Sequence, residues 1–188
     1  MSPLIALRGL HFSYAGGMDV LKGVDFELHA EDRVALTGSN GAGKSTLLRL
    51  INGLEKPNRG EIHAFGGLRK HEKDFREVRV RAGLVFQDPD DQLFMPTVLE
   101  DVMFGPKNFG FSDELVEKNS INALEQVKML QFKDKPPHHL SFGQKRKVAI
   151  ASVLASEPEL LVLDEPSSNL DPASRRELID ILKNLDVF

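Results

Sequence analysis

Gly38-Ser39-Asn40-Gly41-Ala42-Gly43-Lys44-Ser45-Thr46 has the composition of an anion cradle. Glycines let a backbone curl until several N–H groups point at one charge. The spacing G-x4-G-K-S is the phosphate-binding loop (P-loop) pattern. In that pattern Lys44 reaches the β- and γ-phosphates and the Ser45 hydroxyl ligates Mg2+. A helix beginning at the loop adds its own N–H groups and the positive end of its dipole. The plain alternative is a chance glycine-rich turn. The flanks argue against it: Val34-Ala35-Leu36 precedes the loop and Leu47-Leu48-Arg49-Leu50-Ile51 follows. They predict a strand over 34–37, the loop, then a helix.

Two further stretches have chemical character. Leu160-Leu161-Val162-Leu163-Asp164-Glu165 is a continuous apolar run ending in two acids. Such a run reads as a fully buried parallel strand, and ligands sit outside the carboxyl ends of such strands. Asp164 is then placed to hold Mg2+ through water, and Glu165 to polarise an attacking water. The alternative is a strand entering a solvated acidic loop; an upstream phosphate loop gives the acids a task. Leu140-Ser141-Phe142-Gly143-Gln144 opens a helix carrying Lys145, Arg146 and Lys147. Ser141 and Gly143 at a helix N-terminus form a second anion site, or simply a capped helix.

The elements that must position these residues follow from pattern. Residues 4–14 and 24–29 read as strands, the second alternating apolar and polar as a half-buried antiparallel strand does. Together they predict a small antiparallel layer. Asn52-Gly53 stops the helix after the loop, and 61–65 is a short strand. Residues 66–80 are charged and read as a surface loop or short helix. Residues 82–86 form the next core strand, followed by the polar loop Gln87-Asp88-Pro89-Asp90-Asp91-Gln92. Thr97 with Glu100 is a capping box for a helix over 98–104 that ends at Gly105-Pro106. Ser112 caps a helix over 115–130, and further helices are expected over 143–156 and 172–185, the last with Pro172 at its first position. The segment 95–155 interrupts the alternation of strands and helices, so it reads as a helical insertion in a single domain spanning 1–188.

Composition narrows the class. Hydrophobic residues at 41% and charged residues at 28% suffice for a packed core. No apolar run approaches a membrane-spanning length, and Met1-Ser2-Pro3 leads directly into a strand-like stretch with no signal-peptide core. Cysteine is absent, which suits a reducing cytoplasm. A net charge of −4 without a basic tract disfavours nucleic acid as a partner.

In order, the P-loop, Gln87 after a core strand, Leu140-Ser141-Phe142-Gly143-Gln144 and Leu163-Asp164-Glu165-Pro166 resemble the ATP-binding cassette (ABC) family over nearly the whole chain. The resemblance implies an α/β fold: a P-loop NTPase core, the ABC nucleotide-binding domain, with an antiparallel β layer and a helical subdomain. It implies ATP and Mg2+ as ligands and head-to-tail pairing with a second ABC ATPase domain. Residues 38–46 would hold ATP, with Tyr14 stacked on adenine; a strand-end surface aromatic is the alternative for Tyr14. Ser141, Gly143 and Gln144 would complete the partner's site. Glu165 and Gln87 would be catalytic, and Ser45, Gln87 and Asp164 would hold the metal. Ser168-Asn169-Leu170-Asp171 matches the loop that crosses the dimer interface.

Phe86-Gln87-Asp88-Pro89-Asp90-Asp91-Gln92-Leu93-Phe94 and Pro136-Pro137-His138-His139-Leu140-Ser141 closely resemble the cobalt, nickel and vitamin (energy-coupling-factor type) ATPases. This narrower resemblance implies an importer subunit peripheral to the cytoplasmic face of the membrane. Its loop from Gln87 to Phe94, Gln92 included, would meet the transmembrane subunit. The His138-His139 pair lacks neighbours at ligand spacing and reads as a solvated loop.

Two residues depart from the pattern: Phe142 where most of the broad family has glycine, and Asn169 where a small residue is usual. The family also carries one more core strand and a switch histidine beyond the catalytic Glu. Here 23 residues follow Glu165 and no histidine follows His139. The expectation is therefore an incomplete cassette with little turnover of its own. Two other readings stand beside the importer subunit: a truncated cassette that binds ATP without turnover, and a soluble ABC ATPase linked to nucleic acid.

Overall fold

The computed structural model describes residues 2–185. Contacts divide them into two compact units, the first ending at Ala82 and the second beginning at Gly83. That division lies upstream of the 95–155 segment read as an insertion.

The first unit is built on a four-stranded antiparallel sheet in the order β2-β1-β3-β4, with β1 at Ile5–Ser13, β2 at Asp19–Leu28, β3 at Arg59–Ala64 and β4 at Gly67–Arg69. Ile5, Leu7, Leu10, Phe12, Leu28 and Ile62 are buried, which supplies the energy that pairs these strands. The register shifts between Leu7 and Leu10 in β1. Gly60 explains one constraint there: a Cβ on it would lie 2.4 Å from the Gly9 carbonyl oxygen, so only glycine permits that approach.

Helix α1, Lys44–Ile51, follows the glycine-rich loop, and α2, Phe75–Arg81, starts in the charged 66–80 segment and ends one residue past it. The expected stop at Asn52-Gly53 is present. Gly53 has φ 71 and a Cβ there would meet the Phe75 ring at 2.2 Å. Arg79 donates to the Asn52 and Gly53 carbonyls and so closes the helix end.

The strand expected over 34–37 is not formed. Residues 33–39 take no strand conformation, and Val34 and Leu36 are 51% and 37% exposed. Apolar character marks a segment suited to pairing, but a strand exists only where a neighbour supplies ladder hydrogen bonds.

From Gly83 on, β5, Ala82–Val85, pairs in the second unit with β6, Leu160–Leu163. Around them lie α3 at Val98–Phe109, α4 at Asp113–Gln126, α5 at Phe142–Leu154 and α6 at Pro172–Lys183. Val85, Val102, Leu124, Met129, Ile150 and Leu178 are among its core residues. β6 alternates between buried and half-buried positions, so it is not covered on both faces as its apolar run suggested.

Several helix ends differ from expectation, among them that of α5, which closes at Leu154 rather than 156. α3 continues through Gly105-Pro106 and ends at Gly110, in the left-handed conformation at φ 85. Pro106 forfeits one backbone bond, but it is buried, and Gly105 lies close to α5: a Cβ there would be 3.4 Å from Ser152 O. α4 stops at Gln126 rather than at residue 130 because Lys128 turns left-handed at φ 58 and Met129 N–H bonds to Leu124 O. α6 closes at Lys183, two residues short of the expected end.

Candidate functional site

The loop in the first unit has the backbone its sequence demands. Gly38, Gly41 and Gly43 have φ of 153, 82 and 89, all in the region that favours glycine. Gly43 is the N-cap of α1, and a Cβ on it would sit 2.9 Å from Leu21 Cδ2. Residues 38–42 are exposed, and the first turn of α1 carries no acid to oppose an anion. Lys44 Nζ donates to the carbonyls of Gly38 and Ser39 at 3.0 and 3.1 Å, so its charge is folded back over the loop. Ser39, Asn40, Ala42 and Ser45 fill the remaining positions of this turn. A glycine cradle with a lysine over it and a helix dipole beneath fits a polyphosphate.

Tyr14 lies just past β1 and is 43% exposed. Its ring meets Phe12 edge-on at 4.8 Å, and its hydroxyl is 3.1 Å from Thr46 Oγ1. One face of an aromatic ring is thus fixed beside the phosphate loop.

In the second unit β5 and β6 bring together two residues 78 positions apart: Gln87 Nε2 donates to Glu165 Oε2 at 3.0 Å. Glu165 has φ 44, a conformation a non-glycine residue holds only when its surroundings require it. The Ser168 backbone N–H and hydroxyl both donate to its carbonyl, at 3.1 and 2.8 Å. Asp164 is 5% exposed, and its N–H continues the ladder to Val85 O. A carboxylate steered by a carboxamide can accept a proton from water; the acid before it adds an oxygen ligand for a hard cation.

α5 begins with the expected cap. Ser141 Oγ accepts from Gln144 N–H at 3.3 Å, and Gln144 Oε1 accepts from Ser141 N–H at 2.9 Å. Capping uses the serine oxygen as acceptor; its hydroxyl proton is a separate donor at a helix N-terminus. Gly143 is required by packing as well: a Cβ there would lie 3.2 Å from Ser174 Oγ on α6. Asp171 caps α6, and the hydrogen bond from the Ser174 hydroxyl, with those from backbone N–H groups, lowers its carboxyl below the ordinary range. Asn169 sits at φ 59, which asparagine tolerates better than most residues and which gives its presence a backbone reason.

The Gln92 side chain is engaged within its own chain. Its Oε1 accepts from Phe86 N–H at 3.1 Å, and its Nε2 donates to Ala149 O at 2.8 Å and Ser152 Oγ at 2.9 Å. Its side chain braces its own loop on α5. Phe94 instead carries the loop's exposure: it is 62% exposed and packs edge-on against Phe104 at 4.9 Å. His138 and His139 end a short 3-10 turn with their rings 4.3 Å apart.

Two buried ionisable residues escaped the sequence reading. Arg146, fully buried in α5, donates to the carbonyls of Phe86 at 2.8 Å and of Gln87. Burial lowers its pKa, while Asp88 and Asp164 oppose that. Removing it would leave two carbonyls without this donor, at about 1–3 kcal/mol for each left unsatisfied. Asp101, 3% exposed, accepts at 2.9 and 3.0 Å from the N–H groups of Phe94 and Met95. Burial raises its pKa, and those two bonds partly offset the rise. In the sequence Lys145-Arg146-Lys147 reads only as cations carried by the helix. The available signal was helical phase, since Arg146 lies one turn before the apolar Ile150.

The family model described as ABC transporter matches residues 21–168. The energy-coupling factor transporter ATP-binding protein EcfA of Methanosphaera stadtmanae is 46% identical over 187 residues, covering 99% of this chain and 67% of that protein. Among solved structures, cbiO1 from Clostridium perfringens, part of the ABC transporter complex cbiONQ, superposes with a TM-score of 0.85 at 39% identity. That match covers 97% of this chain and 73% of cbiO1. A dimeric post-hydrolysis state of the ATP-binding cassette MJ0796, bound to ADP and Pi, superposes with a TM-score of 0.84 at 28% identity, covering 95% and 81% of the two chains.

Proposed function

We infer the role of this chain from one premise: it belongs to the ABC transporter family. It is an ATP-binding, ATP-hydrolysing subunit, and it energises a membrane importer for cobalt, nickel or a vitamin. The observation that carries the hydrolytic reading is the 3.0 Å bond from Gln87 to Glu165, which aims a carboxylate at the ends of two paired strands.

The chemistry assigned to each residue follows from its setting. Lys44 and the N–H groups of 38–46 neutralise the phosphate chain, and the Tyr14 ring stacks on adenine. Glu165 accepts the proton of the attacking water, and Gln87 fixes the orientation of that carboxylate. By the family resemblance Ser45, Gln87 and Asp164 would hold Mg2+, since each offers the oxygen ligand that cation prefers. The metal, when bound, offsets charge on the phosphate oxygens. Ser141, Gly143 and Gln144, at the N-terminus of α5, receive the γ-phosphate held by Lys44 of a second cassette, so two copies close head to tail around ATP.

No helix among the described residues is long and apolar enough to cross a membrane. Its membrane association is therefore proposed as peripheral, on the cytoplasmic face. The loop 87–94 and the exposed Phe94–Phe104 pair are proposed to meet the transmembrane subunit, and the helices within 95–155 to form the helical subdomain. Cargo choice belongs to membrane subunits. The cobalt, nickel or vitamin assignment rests on similarity to EcfA and cbiO1.

Ser141→Arg tests the pairing. A bulky cation at the start of α5 should abolish the ATP-dependent dimer while nucleotide affinity of the monomer stays within about twofold, because Lys44 and its loop are untouched. ATP-dependent dimers of normal stability in this variant, measured by light scattering, would contradict the head-to-tail arrangement.

A further inference from the structure

Both backbone groups of Phe86 and the carbonyl of Gln87 are held by side chains rather than by a sheet. Gln92 Oε1 takes the Phe86 N–H, and Arg146 donates to the Phe86 and Gln87 carbonyls. Gln92 is in turn anchored on α5 through Ala149 O and Ser152 Oγ. Lys145 Nζ, also on α5, bonds Asp90 Oδ1 at 2.6 Å. Apart from the Phe86–Gln92 bond, which lies within the loop, each of these ties runs between the loop 86–92 and one helix. Arg146 is the fully buried member, and its Nε lacks a hydrogen-bond partner among the described residues. Burying a guanidinium is costly unless carbonyls or charges receive it. Two donors on consecutive carbonyls also fix a peptide plane more tightly than one bond can.

We propose that Arg146 is a positioning residue for hydrolysis: it locks the Gln87 backbone to α5, so that the placement of Gln87 against Glu165 follows the position of that helix. The proposal rests on the reading of Gln87 and Glu165 as the hydrolytic pair. The consequence is mechanical. The Ser141 end of α5 and the Gln87 side chain belong to one braced body, so a force on either is delivered to the other through Arg146. Lysine at this position retains a charge but supplies a point donor, not a planar fork, and cannot hold both carbonyls in the same geometry.

The test is a double-mutant cycle on steady-state ATP turnover of the full chain, with Arg146→Lys, Gln87→Ala and the pair. Arg146→Lys alone should lower kcat by about tenfold with KM within about twofold, the signature of lost positioning rather than lost binding. In the Gln87→Ala background the same change should have no further effect, because its target is gone. Independent, multiplying losses would overturn the proposal, as would a normal kcat in Arg146→Lys. Thermal melting and nucleotide affinity of each variant separate a folding defect from a catalytic one. Should Arg146→Lys fold poorly, Gln92→Glu reports on the same brace: its carboxylate keeps the acceptor for Phe86 N–H and loses the donor to Ala149 and Ser152. Its kcat loss should likewise vanish in the Gln87→Ala background, and a loss that persists there would overturn the proposal. Wild-type turnover in Gln87→Ala alone would instead refute the functional reading of Gln87 on which the proposal stands.

Discussion

The hydroxyl of Tyr14 lies 3.1 Å from the hydroxyl of Thr46, which joins a half-exposed aromatic ring to the helix that follows the phosphate loop. The bond orients the ring; in the proposed site the ring does the binding. Tyr14→Phe should keep ATP affinity within about twofold and lower stability by about 1 kcal/mol, the usual worth of one such bond. Tyr14→Ala should weaken ATP by about tenfold, since base–aromatic stacking contributes about 1–3 kcal/mol. Calorimetric titration with ATP checks both. Equal affinities in Phe and Ala variants would remove Tyr14 from the adenine site.

Lys44→Ala should weaken ATP by at least about tenfold, because a charge-assisted bond of about 1.5–3 kcal/mol is lost. It also removes the donor that Gly38 and Ser39 carbonyls share. Nucleotide titration with parental affinity, together with unchanged turnover, would contradict the assignment of the loop.

Asp101 gives a pH prediction. Its folded-state pKa is raised, with burial as the main cause, so the folded chain holds that proton to higher pH than the unfolded chain does. Its contribution is therefore full below about pH 3.9, the unfolded value, and is lost as pH rises through the raised value. Asp101→Asn keeps an oxygen acceptor for Phe94 and Met95 and cannot ionise. The stability of the parent relative to this variant should fall with rising pH across that window and then level off. Urea unfolding at a series of pH values measures it. A relative stability that climbs with pH would mean the carboxylate is favoured by its site.

What the sequence made legible divides along the range of the interactions. The phosphate loop was readable because its chemistry is local: glycine conformation, one lysine and a helix start lie within 38–46. Caps at Thr97 and Ser141, and Pro172 at the first position of α6, were readable for the same reason. Glu165 entered as one of two acids ending an apolar run and Gln87 through resemblance, and only strand pairing between β5 and β6 shows them touching. The expected strand over 34–37 was misread because apolar character does not supply a pairing neighbour. Gly105-Pro106 looked like a stop because a breaker's cost is visible in sequence while its packing against α5 is not. Arg146 and Gln92 were the least legible: each is an ordinary polar residue until the fold turns it inward.

The central claim, that Glu165 is the proton acceptor of an ATP-closed dimer, is tested most directly by Glu165→Gln in the full chain. The amide still bonds a water and still meets Gln87, but it cannot take a proton. ATP turnover should fall by about a hundredfold or more, the range lost with a general base, while light scattering shows the molecular mass doubling on addition of ATP. A variant that stays monomeric with ATP and hydrolyses it at the parental rate would contradict the account.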